Sequence, residues 1–282
     1  FDVKQYSVVA GLLATAASLG AIIGGTPLAY SVMHHGWKLT LVYCACLGAF
    51  SSTLYFVVVR DAPKRNEINH NSSFLAYFRH CLSRRLMWLL MLYSGLAWSP
   101  LAVFGGLWGV PFLQQAYQLS LTSAATMVTV AFVGLAVGGP YWGWLAKVTD
   151  SQVECMIYGL VVAFMGLLTV LVGLTANKYI LLLSMFGFGF GTGAFMLGFA
   201  YARSHYSLAC AATVVALVNT GDAVLGALTE PSVGKLLDCF NGGVKIKGVS
   251  VFSLSDYHIA LCMLPVELVM AMVVLFYLKK IQ

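Results

Sequence analysis

The sequence predicts an all-α integral membrane protein with eight transmembrane helices, and three observations carry that prediction. Of its 282 residues, 60% are hydrophobic and only 9% are charged, against about 45–50% and about 25% in soluble domains. The apolar residues gather into eight runs of about the 20 residues that a helix needs to cross a bilayer. The 16 Lys and Arg fall mostly between those runs, where a membrane protein keeps them, rather than in one nucleic-acid-binding patch.

The runs are Ser7–Met33, Leu39–Val59, Leu86–Leu113, Ser123–Ala146, Cys155–Ala176, Ile180–Ala202, Leu208–Leu237 and His258–Leu278. Those longer than 20 residues allow for tilt. The first holds Gly11, Gly20, Gly24, Gly25 and Pro27. Its Gly20-x-x-x-Gly24 spacing predicts close backbone packing against another helix. His34–His35 after it reads as a solvated loop pair, since no third ligand that would make a metal site is near in sequence. The third run is interrupted by Pro100, Gly105–Gly106 and Pro111, and interrupted helices are where transporters expose backbone groups near the midplane. The sixth carries Gly187, Gly189, Gly191 and Gly193. No strand precedes them, so they predict close helix packing and not a nucleotide loop.

Charge asymmetry sets the orientation. Eleven of the 16 basic residues, Arg60, Arg79, Arg84, Arg85, Arg203 and Lys279 among them, fall on the side of the Asp61–Arg85 linker, and five on the other. The linker side is therefore expected to be cytoplasmic, and an Asn71 glycosylation sequon there is without meaning. The seven cysteines include no CxxC and mostly lie inside apolar runs, so they read as small buried hydrophobes.

The polar stretch Arg60–Arg85 leaves two helices before it and six after it. Six helices behind a basic linker are what half of a pseudo-symmetric transporter looks like. The expected division is residues 1–59, the last two helices of an N-terminal bundle; 60–85, the linker; and 86–282, a C-terminal six-helix bundle. Four further helices, roughly 130 residues, are then expected before Phe1.

Specific motifs resemble a known family. The run PLAYSVMHHGWK resembles the fifth helix of major facilitator superfamily transporters and the Gly-Trp-Arg turn after it, with Lys38 at the Arg place. Gly139–Asp150, GPYWGWLAKVTD, resembles the loop between the family's eighth and ninth helices. Phe104–Tyr117 and Val218–Pro265 are similar to one bacterial branch, the phagosomal transporters of intracellular bacteria, which import amino acids and nucleosides. The resemblance implies the major facilitator fold, with these eight helices as helices five to twelve. It has departures. Lys147, Val148, Ser151 and Gln152 replace the loop motif's Asp, Arg and paired basic residues, and Pro27 is displaced from its place in the antiporter signature of helix five.

Ionisable groups inside apolar runs point to function, because one near the bilayer centre costs about 2.5–3.5 kcal/mol on insertion scales. Asp222 is the deepest. Asn219, Asp222, Gly226 and Glu230 follow a helical stripe that could line a water-filled path, with Asp222 binding a coupling proton or a substrate ammonium and Asn219 hydrogen-bonding substrate. Tyr93, Trp98, Phe104 and Trp108 on the interrupted helix offer rings for stacking on a ligand. Glu267, two residues after Pro265, is expected at the headgroups, and Arg203 at the cytoplasmic helix end.

No GxSxG, HExxH, P-loop or other hydrolytic set occurs, so no enzyme activity, cofactor or metal is expected. The leading expectation is a monomeric secondary transporter of a bacterial inner membrane, importing a small polar nutrient such as an amino acid by alternating access, with a proton as coupling ion. Two other readings stay open: a drug or metabolite efflux antiporter, and a transport-dead membrane sensor or scaffold.

Overall fold

A computed structural model describes residues 3–24, 26–60, 74–173, 177–241, 245–246, 249–250 and 252–281. Most of the linker, including the Asn71 sequon, lies outside the described residues. The chain is helical almost throughout. The helices are α1 (Val3–Gly24), α2 (Thr26–Val58), α3 (Phe74–Ser83), α4 (Arg85–Val103), α5 (Gly109–Tyr117), α6 (Leu121–Thr149), α7 (Gln152–Val172), α8 (Lys178–Thr192), α9 (Met196–Ser204), α10 (Ala211–Phe240), α11 (Leu254–Leu261) and α12 (Met263–Ile281). A small antiparallel hairpin, Lys245–Ile246 with Val249–Ser250, is a minor addition to the all-α fold that the sequence predicts.

Among the described residues, seven helical spans are long and apolar enough to cross a membrane. They fall on seven of the eight predicted runs. The remaining run, Ser7–Met33, covers most of α1 and the start of α2, and Gly25 between them lies outside the described residues. Polar side chains start several helices by satisfying free backbone N–H groups. Ser120 accepts from the Ser123 amide at 3.2 Å, Asn177 from the Tyr179 amide at 2.9 Å, and Ser253 and Asp256 form a reciprocal box at the start of α11.

The helices from α4 onward pack around a shared core. α4 lies against α10 and α12, α6 against α8, and α7 against α8 and α12. α1 docks on α6 and α9, tied by the Thr15 hydroxyl donating to the Ala136 carbonyl at 2.6 Å. α2 packs mainly on α1, and every residue from Leu41 to Val58 is exposed. An apolar helix so uncovered needs apolar surroundings, lipid or neighbouring helix, and not water.

Three expectations need correction. Among the described residues Gly20 and Gly24 have open space where a Cβ would stand, so the GxxxG spacing meets no described helix; α1 packs on α6 along other positions, Thr15 among them. Close packing is found in α8, as its glycines predict: a Cβ on Gly189 would run into the Ala131 carbonyl of α6. The interrupted third run does not open. Its Phe104–Trp108 segment is a single π turn joining α4 to α5, which widens the helix while keeping its backbone bonded. Finally, Cys81, Cys155 and Cys210 are buried, but Cys44, Cys46, Cys239 and Cys262 are exposed, because an apolar run in a membrane protein has a lipid-facing side as well as a packed one.

The predicted HHGWK turn is a break at one residue. Gly36, with φ 77° and ψ 158°, takes a conformation that a side chain disfavours. His34 and His35 precede it, both exposed; His34 lies tilted against Tyr30 at 4.2 Å and His35 meets Tyr43 edge-on at 5.8 Å. Among the described residues no cluster of three or more His, Cys, Asp or Glu could hold a metal ion.

Candidate functional site

The site is built where α4 crosses α10. A Cβ on Gly95 would lie 2.6 Å from the Gly221 carbonyl oxygen, and one on Gly221 would meet the Met91 carbonyl. Two glycines thus let the backbones touch, and the next residue, Asp222, is carried into the crossing. Asp222 is 7% exposed. Its Oδ1 is buried without a hydrogen-bond partner, as is the hydroxyl of the neighbouring Ser94. The Ser94 hydroxyl is set beside the Asp222 carboxyl but off ideal hydrogen-bond geometry; a buried carboxyl so weakly partnered is costly, and in a membrane protein it is a functional candidate by default.

The predicted stripe on α10 is split by this crossing. At 3.6 residues per turn, Asn219, Gly226 and Glu230 line up, while Asp222 sits about 60° around the helix from Asn219. That offset turns Asp222 into the α4 contact and leaves Asn219 and Glu230 on the exposed side.

Asn219 shares an open cavity of about 490 Å³ between α9 and α10 with Phe199 and Arg203. Arg203, which the sequence marks only as a helix-end charge, gives this cavity a guanidinium, a group suited to a carboxylate or phosphate. Glu230 offers its backbone carbonyl to the Trp108 indole at 3.4 Å. Trp108 also packs beside Gly234, so it spans from the π turn to α10.

The other aromatic candidates occupy different surroundings. Trp98 is half-buried and stacked on Phe195, ring centroids 5.0 Å apart. Phe104 is fully buried between Phe112 and Phe188, with its ring enclosed by core. Tyr93 is also fully buried, its hydroxyl donating to the Ala194 carbonyl at 3.4 Å, and it flanks Asp222.

The largest surprise is Glu267. Far from the headgroup position expected for it, it is 4% exposed. Its Oε1 accepts from Thr229 of α10 at 2.6 Å and its Oε2 from Ser99 of α4. Both carboxylate oxygens are satisfied, so this node joins α4, α10 and α12 at modest cost. Thr229 follows Asp222 by seven residues, about 10.5 Å along the helix, which makes two polar layers in one interface, one complete and one open. Ser99 and Thr229 gave no sequence signal, since lone hydroxyls are ordinary in membrane helices. Glu267 lay on the face of Leu264, Leu268, Ala271 and Leu275, all fully buried, but α12 is apolar all round and its sequence marks no inward face.

A bundle of apolar, membrane-length helices packed around buried carboxylates has the architecture of a multi-pass membrane protein. The Major Facilitator Superfamily pattern matches residues 1–229, and the chain belongs to that family. It is 26% identical over 212 residues to a probable L-galactonate transporter of Escherichia coli (strain K12), covering 66% of this chain and 46% of the relative. It is 25% identical over 135 residues to a hexose-6-phosphate:phosphate antiporter of Salmonella typhimurium (strain LT2), covering 47% of this chain and 28% of that one. The matched regions therefore span less than half of either relative. The fold is similar to that of a bacterial homolog of the human lysosomal transporter Spinster, with TM-score 0.63 and 16% identity over 98% of this chain and 68% of that chain. The family is thus the one that the sequence motifs resemble; the phagosomal amino acid and nucleoside branch finds no support among these relatives.

Proposed function

We propose that the chain acts in a secondary active transporter that imports a small polar nutrient by alternating access, with proton coupling at Asp222. The observation that carries this reading is the Asp222 carboxyl buried at the α4–α10 crossing, weakly partnered by the Ser94 hydroxyl. Gain or loss of a proton there changes the charge buried between two helices. It thereby biases any rocking motion that opens the crossing to one side or the other. The division into a two-helix segment, a linker and a six-helix bundle belongs to the same proposal, as does residence in a bacterial inner membrane with the linker side cytoplasmic.

The Arg203–Asn219 cavity favours a second, narrower reading of the solute. A guanidinium beside a carboxamide binds a carboxylate or phosphate and a neighbouring hydroxyl or amine. An amino acid and a sugar acid both present a carboxylate, and the named relatives carry a sugar acid and a sugar phosphate. Uptake of labelled pools of amino acids, nucleosides, sugar acids and sugar phosphates into liposomes holding the native-length protein tests both readings. Accumulation that collapses when the pH gradient is dissipated is the expected result, in a pool that carries an acidic group. Export of apolar cations would move the function to efflux. Folded protein that moves no pool would leave a sensor or scaffold.

A further inference from the structure

Away from that site, the start of α4, the end of α9 and the end of α12 enclose a cavity of about 370 Å³. Its lining is divided by chemistry. Arg85, His205 and Tyr277 supply polar groups, while Leu86, Leu89 and Leu278 supply an apolar wall. Leu89 lies one turn deeper along α4 than Arg85, so the polar end faces the linker side and the apolar end runs into the membrane.

Three features make the polar end anion-selective. Arg85 is the first residue of α4, whose N-cap residue Arg84 makes no side-chain cap; the Met87 amide is taken by the Arg84 carbonyl at 3.1 Å, and the positive end of the helix dipole lies beside the Arg85 guanidinium. His205 is held by its Nδ1, which donates to the Tyr201 carbonyl at 2.9 Å, and by stacking on the Tyr201 ring, centroids 4.1 Å apart. That turns Nε2 to the cavity, where it accepts a hydrogen bond from a protonated phosphate or a headgroup hydroxyl, and donates to a phosphate oxygen once the ring is protonated. Beyond Leu278 come Lys279 and Lys280; Glu154, the acidic group nearby, is engaged by Lys279 at 3.0 Å. Trp88, exposed and anchored through its indole to the Leu82 carbonyl at 2.8 Å, sits where membrane proteins keep interfacial aromatics.

We propose that this cavity binds one anionic phospholipid of the linker-side leaflet. The phosphate rests on Arg85, His205 and the start of α4, and an acyl chain lies along Leu86, Leu89 and Leu278. Basic recesses between membrane helices on the positive side suit acidic headgroups. The apolar wall distinguishes a lipid from a free phosphate, which would have nothing to place against it.

The test is lipid retention by the native-length protein in mild detergent, read by native mass spectrometry after adding phosphatidylglycerol or phosphatidylcholine in equal amounts. The expected result is preferential retention of one phosphatidylglycerol, weakened about fivefold by Arg85→Ala and also weakened by Leu89→Trp, which fills the apolar wall. Equal retention of the two lipids by the unaltered protein, which needs no variant to fold, overturns the proposal. So does displacement of phosphatidylglycerol by millimolar inorganic phosphate, which would make this a free-anion site. Unchanged retention by correctly folded Arg85→Ala and Leu89→Trp overturns it as well.

Discussion

Glu267 of α12 accepts a hydrogen bond from Thr229 of α10 at 2.6 Å, while its other carboxylate oxygen is held by Ser99 of α4. One side chain thus fastens three helices. Interhelical hydrogen bonds in membrane proteins average about 0.6 kcal/mol and reach about 1.7 kcal/mol. Thr229→Val keeps the volume and removes the donor, so it should lower unfolding stability in detergent by about 1 kcal/mol. Glu267→Ala, which orphans two hydroxyls and leaves a cavity, should lower it further. A Thr229→Val protein as stable as the parent would remove the node from this account.

Gly189 and Gly187 form a paired test of the α6–α8 contact. A Cβ at Gly189 meets the Ala131 backbone, whereas one at Gly187 meets nothing within 4 Å. Gly189→Ala should therefore destabilise the bundle by about 1–3 kcal/mol, the usual range for overpacking. Gly187→Ala should be neutral or slightly stabilising, because alanine favours the helix. Thermal melts of the two variants, differing in the same residue type two positions apart, check this directly.

The seam between α3 and the start of α10 should respond to alkali. Burial pushes the Cys81 thiol up from 9.0 to about 11, with the adjacent Cys210 adding to the shift. Burial likewise pushes the Tyr206 hydroxyl up to about 12; the Arg84 guanidinium lies over its ring at 5.4 Å. Both groups keep their protons in the folded state after the unfolded chain has lost them. Their stabilising contribution is thus complete below about pH 9 and is lost as pH rises through 9–12. Alkylation of Cys81 by iodoacetamide should be very slow at pH 8 and rise about tenfold per pH unit toward 11. Fast labelling at pH 8 would contradict the burial.

Arg203 is the test of an acidic solute. Losing a charge-assisted hydrogen bond costs about 1.5–3 kcal/mol, so Arg203→Ala should raise KM for a carboxylated or phosphorylated solute tenfold or more. The maximal rate should change little. Arg203→Lys should recover part of the loss, since a charge remains but the planar fork does not. An unchanged KM in Arg203→Ala would take the cavity out of substrate binding.

How much of this was legible in the sequence follows from what lipid does to pattern. Span positions were readable because run length and charge count survive any packing, and seven runs coincide with helical spans. Inward faces were not, because lipid-facing residues are as apolar as core residues; Glu267 and Gly20 were misplaced for this reason. Asp222 could be singled out because a charge in an apolar run is rare. Its separation from Asn219 could not, since the crossing at Gly95 and Gly221 is made by a second helix more than a hundred residues away in sequence. Arg203 looked like a topology charge because only the fold brings α9 beside Asn219.

The central claim is that Asp222 couples solute movement to a proton gradient, and Asp222→Asn tests it most directly. The substitution keeps size and removes the titratable proton. In liposomes with an imposed pH gradient, the variant should still exchange solute across the membrane but no longer accumulate it above the outside concentration. An Asp222→Asn protein that concentrates solute as well as the parent does would contradict the account.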